Sequence, residues 1–401
     1  MLYPKLLLET LLVAIFALKA IATADSNIEA LQAVSDGTSQ FSSLFYQTVA
    51  EETPENLITS PLSAAVVLAM AAYGSRGETE NQFKKVLHLP SANGESGYQA
   101  LIDNLNKIQE NKLQLANKIF AAEKFGLKPT YKELTETYFR SIVQAVNFAK
   151  SQEAAATINE WVQQNTNDLI KIIVQPGDLD SKTALVLVNA VYFKGLWKDP
   201  FNPNNTKDMP FHIDSNTVKN VPTMFKTGSY RSGELPDLNA KFIVIPYKGN
   251  ECSMVIVLPN AVDGLADLEK KLQNVNLVNV LTQGYEKKLV LLLPKFKVES
   301  KINLEEVLQK MGLIDAFSGR ANFSGIANEQ IAISKAVQKA FIEVNEEGTE
   351  AAAVTGTGMT YSSSINLVEL RVNRPFVYSI IKTGDVNIQL FRGHVIKPET
   401  A

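Results

Sequence analysis

The 401-residue sequence contains a single cysteine, Cys252, so no disulfide can form within the chain and its stability must come from packing. Cys252 lies in the apolar run 252–258, which predicts a buried thiol. The net charge is −3 with both signs dispersed, and no basic stripe indicates nucleic-acid binding. Metal-ligand spacings, dinucleotide glycines and a P-loop are all missing, so neither a metal nor a cofactor is expected.

Histidine is equally scarce, with only His88, His212 and His394 in the whole chain. None of them stands beside a Gly-x-Ser-x-Gly nucleophile motif. A catalytic triad could still assemble in space, because its members need not be close in sequence. A secreted hydrolase nevertheless remains the least favoured class, and the sequence predicts a protein that is not an enzyme.

Residues 1–24 are predicted to be a signal peptide. An apolar run ends in Ala-Thr-Ala at 22–24, which fits the small-x-small cleavage pattern. Charged residues interrupt the run, which argues against a membrane anchor. The alternative to a signal peptide is a buried first helix. We therefore expect a secreted, extracellular protein without membrane association, whose residues 25–401 form a single domain.

Two Asn-x-Ser/Thr sequons, at Asn204 and Asn322, predict N-linked glycosylation. Neither sequon has proline at its middle position, and a secreted chain would meet the glycosylating enzymes. Both asparagines are therefore expected to carry glycans.

Helical and strand patterns interleave without βαβ regularity, which predicts an α+β fold with large sheets. Apolar residues at three-to-four spacing predict helices over 26–49, 61–73 and 154–170, with Ser60 suited to cap the second and Pro61 to begin it. Runs of β-branched and large apolar residues predict strands over 185–192, 242–246, 254–258, 289–293, 331–337, 367–372, 376–381 and 388–391. No repeat or linker divides the chain.

The segment 345–364 lies between two strand patterns, contains no proline and is too long for a tight hairpin. With a period of two, one of its faces is small and nearly uncharged, consisting of Thr349, Ala351, Ala353, Thr355, Thr357 and Met359. Such a strand could slide between two existing strands at little steric cost, and every residue retains its backbone donor. Composition alone fits an insertable strand and a flexible surface loop about equally.

The segment and its flanks resemble the hinge and reactive loop of the serpin family. The similarity covers 339–353, which reads Lys-Ala-Phe-Ile-Glu-Val-Asn-Glu-Glu-Gly-Thr-Glu-Ala-Ala-Ala, and further blocks follow in the family's order at 56–63, 189–197, 293–296 and 391–398. The resemblance implies the serpin fold: three β-sheets, about eight or nine helices and an exposed reactive-centre loop at about 345–369.

The resemblance also implies roles for individual positions. The hinge corresponds to Glu347, Gly348, Thr349, Glu350, Ala351, Ala352 and Ala353, and its small residues are typical of inhibitory members. The shutter and breach, where the central sheet opens, correspond to Asn56, Ser60, Pro61, Ser63, Asn189, Trp197 and Gln338. Many members have histidine at the position of Gln338. Glutamine still forms hydrogen bonds, but the pH sensitivity of that histidine would be absent.

The implied function is inhibition of a serine protease by a suicide-substrate mechanism. The protease attacks the loop and forms an acyl-enzyme. The cut loop then inserts beside the strand at 189–197 before water can hydrolyse the acyl bond. The partner is thus a protease held in a covalent acyl complex by a monomeric inhibitor that supplies no catalytic group. The alternative is a non-inhibitory member acting as carrier, storage or chaperone protein, against which the hinge composition argues.

The family's usual spacing from the hinge places the cleaved bond at Ser362–Ser363, with Tyr361 or Ser364 as alternatives. No lysine or arginine occurs from 349 to 370, which disfavours a trypsin-like target and favours a chymotrypsin- or elastase-like one. The segment 98–109, where the family's glycosaminoglycan-binding helix is expected, has one cation, so heparin dependence is not expected.

Overall fold

The computed structural model describes residues 3–349 and 367–399, without the side chains of 3–25 and of Asn274. Eight α-helices occur in the described part of the chain. Their bounds are α1 Tyr3–Ala50, α2 Pro61–Gly74, α3 Gly77–Leu87, α4 Gly94–Leu105, α5 Pro129–Phe139, α6 Ser151–Asn165, α7 Leu265–Lys271 and α8 Leu304–Lys310. Among these helices none is both long and apolar enough to cross a membrane.

Fourteen strands occur in the same residues and alternate irregularly with the helices, as expected of an α+β fold. Their bounds are β1 Leu57–Thr59, β2 Lys112–Ala122, β3 Gln144–Val146, β4 Leu185–Lys194, β5 Lys207–His212, β6 Val218–Leu235, β7 Ala240–Pro246, β8 Cys252–Pro259, β9 Tyr285–Pro294, β10 Phe296–Asn303, β11 Ile333–Val344, β12 Val368–Arg371, β13 Phe376–Lys382 and β14 Ile388–Val395.

Five strands form a central sheet in the order β10-β11-β4-β2-β3. The pairs β10–β11 and β4–β2 are antiparallel, whereas β11–β4 and β2–β3 are parallel. Nine of the ten residues of β4 are buried, because helices cover both faces of the sheet at this strand. The near-continuous apolar run that predicted a strand at 185–192 reflects this two-sided burial.

The other nine strands form one hydrogen-bonded network, which divides at the long strand β6. Residues 218–232 of β6 pair with β5 and β9, and β12 extends that part. Residues 231–235 of β6 pair with β7, which continues through β8, β13 and β14 to β1. Because β6 serves both parts, the central sheet and the two halves of this network account for the three sheets expected.

Helix α2 passes behind the central sheet and forms the middle of the core. All of its 14 residues except Tyr73 are buried, as expected of a helix that is apolar all round. Ser60 caps it by accepting a hydrogen bond from the backbone N–H of Ser63, and Pro61 occupies the first turn. This confirms the start predicted from the sequence.

Helix α6 covers the front of the central sheet, where Ile158 and Val162 pack against β4 and β11. The sequence predicted this helix over 154–170, but it ends at Asn165. Asn167 and Asp168 both adopt left-handed backbone conformations, with φ of 49° and 61°, which terminate a right-handed helix. Ile170, which lies beyond the end of the helix, packs in the same core without being helical.

Candidate functional site: the breach and shutter of the central sheet

The contact between β4 and β11 is the part of the sheet that a new strand would have to enter. We call it the seam: residues 185–192 of β4 pair in parallel with residues 333–341 of β11. A chain that leaves β11 at Val344 and turns back would run antiparallel to both strands. It could therefore pair with β4 on one edge and with β11 on the other.

The chain does turn back immediately after β11. The side-chain oxygen of Asn345 accepts hydrogen bonds from the backbone N–H groups of Glu347 and Gly348, at 3.1 and 3.3 Å. Gly348 then forms an antiparallel bridge with Leu196, beyond the end of β4, and Thr349 forms one with Val344. The first turn of the hinge therefore already lies at the mouth of the seam.

Gly348 is required at this turn for two reasons. Its φ of 150° lies in a region that residues with a side chain rarely adopt. A Cβ added at this position would lie 2.0 Å from the carbonyl oxygen of Gly195, which is backbone and cannot move aside easily. Any larger residue would force the hinge away from the end of β4.

Thr349, the last described hinge residue, is buried with only 1% of its surface exposed. Its hydroxyl lies 3.0 Å from the hydroxyl of Tyr247, and its backbone N–H donates to the carbonyl of Gly195. Asn345 and Glu346 are also buried. Residues 345–349, where the sequence places the start of the reactive loop, are therefore held at the end of the central sheet by backbone hydrogen bonds and side-chain contacts.

Trp197 forms the floor of this site, at the position predicted from the sequence. Its ring is buried and stacks on Tyr247, with centroids 4.6 Å apart and planes 10° from parallel. Its indole N–H donates to the carbonyl of Asn345 at 2.9 Å, and its backbone N–H donates to the carbonyl of Glu347 at 2.7 Å. Trp197 thus joins the chain after β4 to the chain after β11.

Glu346 makes a second connection across the mouth of the seam. One carboxylate oxygen accepts a hydrogen bond from the hydroxyl of Thr206 at 2.7 Å, and the other lies 2.9 Å from the ammonium of Lys295. Burial raises the pKa of Glu346, but the hydrogen bonds from Thr206 and Lys295 outweigh it and bring the pKa below its ordinary value. Trp197, Tyr247, Asn345, Glu346 and Thr349 are called the breach cluster below.

Replacing Glu346 with lysine should open the breach, because it loses the hydrogen bond from Thr206 and puts a second ammonium beside Lys295. We expect the free energy of unfolding to fall by about 2–3 kcal/mol in urea titrations. The paired exchange Glu346→Lys with Lys295→Glu restores opposite charges and should recover part of this loss. Equal stability of the single and the paired variants would show that the ion pair does not hold the breach closed.

Gln338 lies at the centre of the second site, halfway along the seam. It is fully buried on β11, directly beside Asn189 of β4. Its carbonyl oxygen accepts from the backbone N–H of Ser60 at 2.9 Å, and its amide nitrogen donates to the carbonyl of Ser60 at 2.8 Å and to the side-chain oxygen of Asn189 at 2.5 Å. The hydrogen bonds of Gln338 thus connect β11 to β4 and to the start of α2.

The network continues from Asn189 toward the third strand of the sheet. The amide of Asn189 donates to the hydroxyl of Ser63 at 2.5 Å and to the side-chain oxygen of Asn117 on β2. The Ser60 hydroxyl donates to the carbonyl of Leu390 on β14 at 2.7 Å. Ser60, Ser63, Asn117, Asn189 and Gln338 are called the shutter cluster below.

Asn56 is not part of this cluster, although the sequence grouped it with the shutter. Its side chain instead accepts from the backbone N–H groups of Ile396 and Lys397 and donates to the carbonyl of Lys397. Asn56 therefore fixes the chain that follows β14. Pro61 lies beside the cluster and contributes the first turn of α2 rather than a hydrogen bond.

Sequence reasoning missed Asn117, Thr206, Tyr247 and Lys295. Thr206 is 140 residues from Glu346, and no local pattern links them. Lys295 lies within the family-like block 293–296, which is the one signal that pointed to it. The remaining predicted residues, Glu350 to Ala353 of the hinge and Tyr361 to Ser364 around the cleaved bond, lie outside the described residues.

The three histidines and the cysteine occupy separate structural positions. His88 ends α3 in a left-handed conformation, His212 lies on β5, and His394 is buried on β14. Cys252 is free and buried, as predicted, and burial raises its pKa to about 12, so its thiol stays protonated. Within the described residues, no group of three or more His, Cys, Asp and Glu side chains could hold a metal ion.

Comparison with known proteins agrees with this architecture. A family model described as Serpin (serine protease inhibitor) matches residues 36–398. Alaserpin of Manduca sexta is 36% identical over 394 residues, covering 97% of this chain and 100% of that protein. Antitrypsin of Bombyx mori is 35% identical over 356 residues, covering 87% and 91%.

Solved structures lead to the same family. Serpin48 of the insect Tenebrio molitor superposes with a TM-score of 0.83 at 32% identity, covering 92% of this chain and 99% of that one. Cleaved Serpin 42Da superposes with a TM-score of 0.83 at 35% identity, covering 92% and 100%. The chain therefore belongs to the serpin family, most of whose members inhibit proteases rather than catalyse reactions. This confirms the resemblance seen in the sequence.

Proposed function

We propose that the protein inhibits a serine protease as a suicide substrate, by inserting its cleaved loop into the seam between β4 and β11. The observation that carries this proposal is the position of the hinge. Gly348 has already turned antiparallel to the end of β4, and Thr349 is buried against Tyr247. Cleavage further along the loop would free the following residues to continue the same pairing down the seam.

The energetic gain comes from one additional ladder of backbone hydrogen bonds. An inserted strand pairs on both edges, but the existing pairing of β4 with β11 must first break. The net gain is therefore about one ladder together with burial of the small face of the loop. This gain is offset by the cost of ordering each inserted residue, so small side chains with little rotamer entropy favour insertion.

The target we propose is a chymotrypsin- or elastase-like protease, cutting at Ser362–Ser363 or at a bond involving Tyr361 or Ser364. The absence of lysine and arginine from 349 to 370 supports this choice, since a trypsin-like pocket requires a cation. Mass spectrometry of the peptide released by a matching protease identifies the bond. A new amino terminus outside 362–365 would overturn this placement.

Secretion and glycosylation belong to the same proposal. Asn204 and Asn322 are both exposed, as a glycan at either position requires. We propose that residues 1–24 are removed on secretion and that the mature protein acts outside the cell as a monomer. In protein from a eukaryotic secretory host, amino-terminal sequencing tests the removal of residues 1–24, and glycosidase treatment tests glycosylation at the two asparagines.

The direct test of inhibition is a denaturing gel after incubation with a panel of serine proteases. With a chymotrypsin- or elastase-like protease, we expect an SDS-stable band at the summed mass of inhibitor and enzyme minus the carboxyl-terminal peptide that cleavage releases. The acyl bond formed with the loop survives denaturation, whereas a non-covalent complex does not. Complete cleavage of the loop by every protease tested, without any such band, would refute the mechanism.

A non-inhibitory carrier is the second candidate, because the same fold includes human thyroxine-binding globulin, solved with thyroxine, at a TM-score of 0.84 and 27% identity. Thermal unfolding after loop cleavage separates the two. An inserting protein should gain about 10 °C or more, since each kcal/mol is worth roughly 2–4 °C in a large domain. An unchanged melting temperature in the cleaved protein would favour the carrier.

A further inference from the structure

A buried group of ionisable side chains lies at the junction of α1, α7 and β14, and the proposed inhibitory mechanism does not use it. Tyr46 comes from α1, Glu269 from α7, and Arg392 and His394 from β14. Tyr46, Arg392 and His394 each have 1% of their surface exposed, and the Glu269 side chain has 18%. Charged groups are rarely buried to this degree unless their hydrogen bonds are made internally.

Both ring nitrogens of His394 face oxygen atoms. Nδ1 lies 2.8 Å from a carboxylate oxygen of Glu269 and 3.0 Å from the hydroxyl oxygen of Tyr46. Nε2 lies 2.8 Å from the backbone carbonyl oxygen of Glu55. The hydroxyl of Tyr46 donates to the same oxygen of Glu269 at 2.5 Å.

Counting protons decides the state of this group. A neutral imidazole has one N–H, so one of its nitrogens would present a lone pair to an acceptor 2.8 Å away, either the Glu269 carboxylate or the Glu55 carbonyl. Only an imidazolium, with N–H groups at both nitrogens, donates to both. The single hydroxyl proton of Tyr46 cannot serve Glu269 and His394 at once.

The surrounding charges are compatible with this extra proton. Arg392 places its guanidinium 4.4 Å from the centre of the Tyr46 ring, and its charge opposes a second cation nearby. The Glu269 carboxylate offsets one of these two positive charges. Burial raises the pKa of Glu269, but the bonds from His394 and Tyr46 and the charge of Arg392 bring the pKa below its ordinary value. Burial holds the pKa of Tyr46 well above its usual range, so its hydroxyl stays a donor. The Glu55 carboxylate is on an exposed residue and only its carbonyl takes part.

The position of Glu55 connects this group to the shutter cluster. Glu55 immediately precedes Asn56 and β1, and β1 leads directly into Ser60, which bonds to Gln338. In addition, His394 lies opposite Leu57 in the pairing of β1 with β14. The imidazole therefore bridges α7 on one side and the entrance of the shutter segment on the other.

We propose that His394 is a proton-dependent clamp: with both ring nitrogens protonated it holds the chain before β1 to α7, and loss of one proton releases one side. No residue of the breach cluster or of the cleaved bond takes part. An experiment that contradicts the clamp therefore leaves the proposed inhibition unaffected, and the reverse also holds. Its effect is a folded state that binds one more proton than the unfolded chain.

The direction of the pH effect follows from this difference in bound protons. A folded state that binds one more proton than the unfolded chain gains stability as the pH falls and loses that stability as the pH rises. At acidic pH, we expect the wild type to melt roughly 2–5 °C higher than His394→Gln. At alkaline pH, the two melting temperatures should become equal.

The direct test is NMR of protein labelled with 15N at histidine, which distinguishes imidazolium from either neutral tautomer. Only three histidines are present, so the His394 signal is assigned by its loss in His394→Gln or, if that variant does not fold, by removing His88 and His212. We expect the imidazolium pattern for His394 at about pH 7, above the ordinary histidine value. A neutral tautomer there would overturn the proposal.

Glu269→Gln is the matched variant, since it keeps the size and the acceptor oxygen but removes the charge that holds the proton. It should shift His394 to a neutral tautomer at about pH 7 and abolish the pH-dependent difference in melting temperature. An imidazolium pattern that persists in Glu269→Gln would show that the carboxylate does not hold the proton and would contradict the clamp.

Discussion

Replacing Thr349 with arginine should leave the loop cleavable but abolish the SDS-stable adduct with the target protease. Thr349 is buried, and its hydroxyl lies 3.0 Å from the hydroxyl of Tyr247, whose ring stacks on Trp197. A guanidinium has no carboxylate partner among these contacts and would have to be desolvated to enter the seam. We therefore expect insertion to slow by at least two orders of magnitude, since about 2.7 kcal/mol corresponds to that factor and burying an unpaired charge costs more.

The matched control is Thr349→Ser, which keeps the hydroxyl facing Tyr247 and remains small. This variant should form the adduct with nearly the wild-type yield, because neither the hydrogen bond nor the space at the breach changes. Both variants should be cut at the same bond, since the target's contacts lie further along the loop. Undiminished adduct formation by Thr349→Arg would mean that insertion does not depend on a small, uncharged residue at 349.

Gln338→Leu should be the most destabilising substitution in the seam. It removes three hydrogen bonds and leaves buried groups of Ser60 and Asn189 without their partner. Each unsatisfied buried group costs about 1–3 kcal/mol, so we expect the free energy of unfolding to fall by roughly 3–5 kcal/mol. Urea unfolding monitored by tryptophan fluorescence measures this change, because Trp197 lies in the same sheet region.

Gln338→His is the informative control, because the imidazole can serve at most two of the three partners. It should cost less than leucine at neutral pH. Stability should then fall as the pH drops below about 6.5, since protonation of the buried ring removes the acceptor for the Ser60 N–H. A leucine variant as stable as wild type would show that the shutter cluster does not hold β4 and β11 together.

The course of the strands and helices was only partly predictable. The strands at 185–192, 376–381 and 388–391 were found because two-sided burial makes their sequences mainly apolar. Strand β2 was missed because its sequence, Lys-Leu-Gln-Leu-Ala-Asn-Lys-Ile-Phe-Ala-Ala, places polar residues inside a central strand. One of these is Asn117, which is polar because it bonds to Asn189 and Ser63.

The residues that close the breach illustrate a different limit. Trp197 and Gly348 were identified through resemblance to the family, but the reason for the glycine, a backbone φ of 150° against the carbonyl of Gly195, is a property of the folded chain. Neither Thr206, which belongs to a glycosylation sequon, nor Lys295, which lies in the family-like block 293–296, carries a local signal for a contact with Glu346. Only their convergence on Glu346 gives them a role.

The amino-acid sequence by itself determined the α+β class through the periodicity of its apolar residues, and the small size of the hinge residues, because both are local properties of the chain. It determined the family through the resemblance of its motifs. The tertiary structure alone decided that Thr349 is already buried, that Gln338 joins β11 to α2, and that His394 faces two acceptors. These contacts join residues as far as 339 positions apart along the chain. No local pattern can encode them, since they exist only once the sheets and helices have packed.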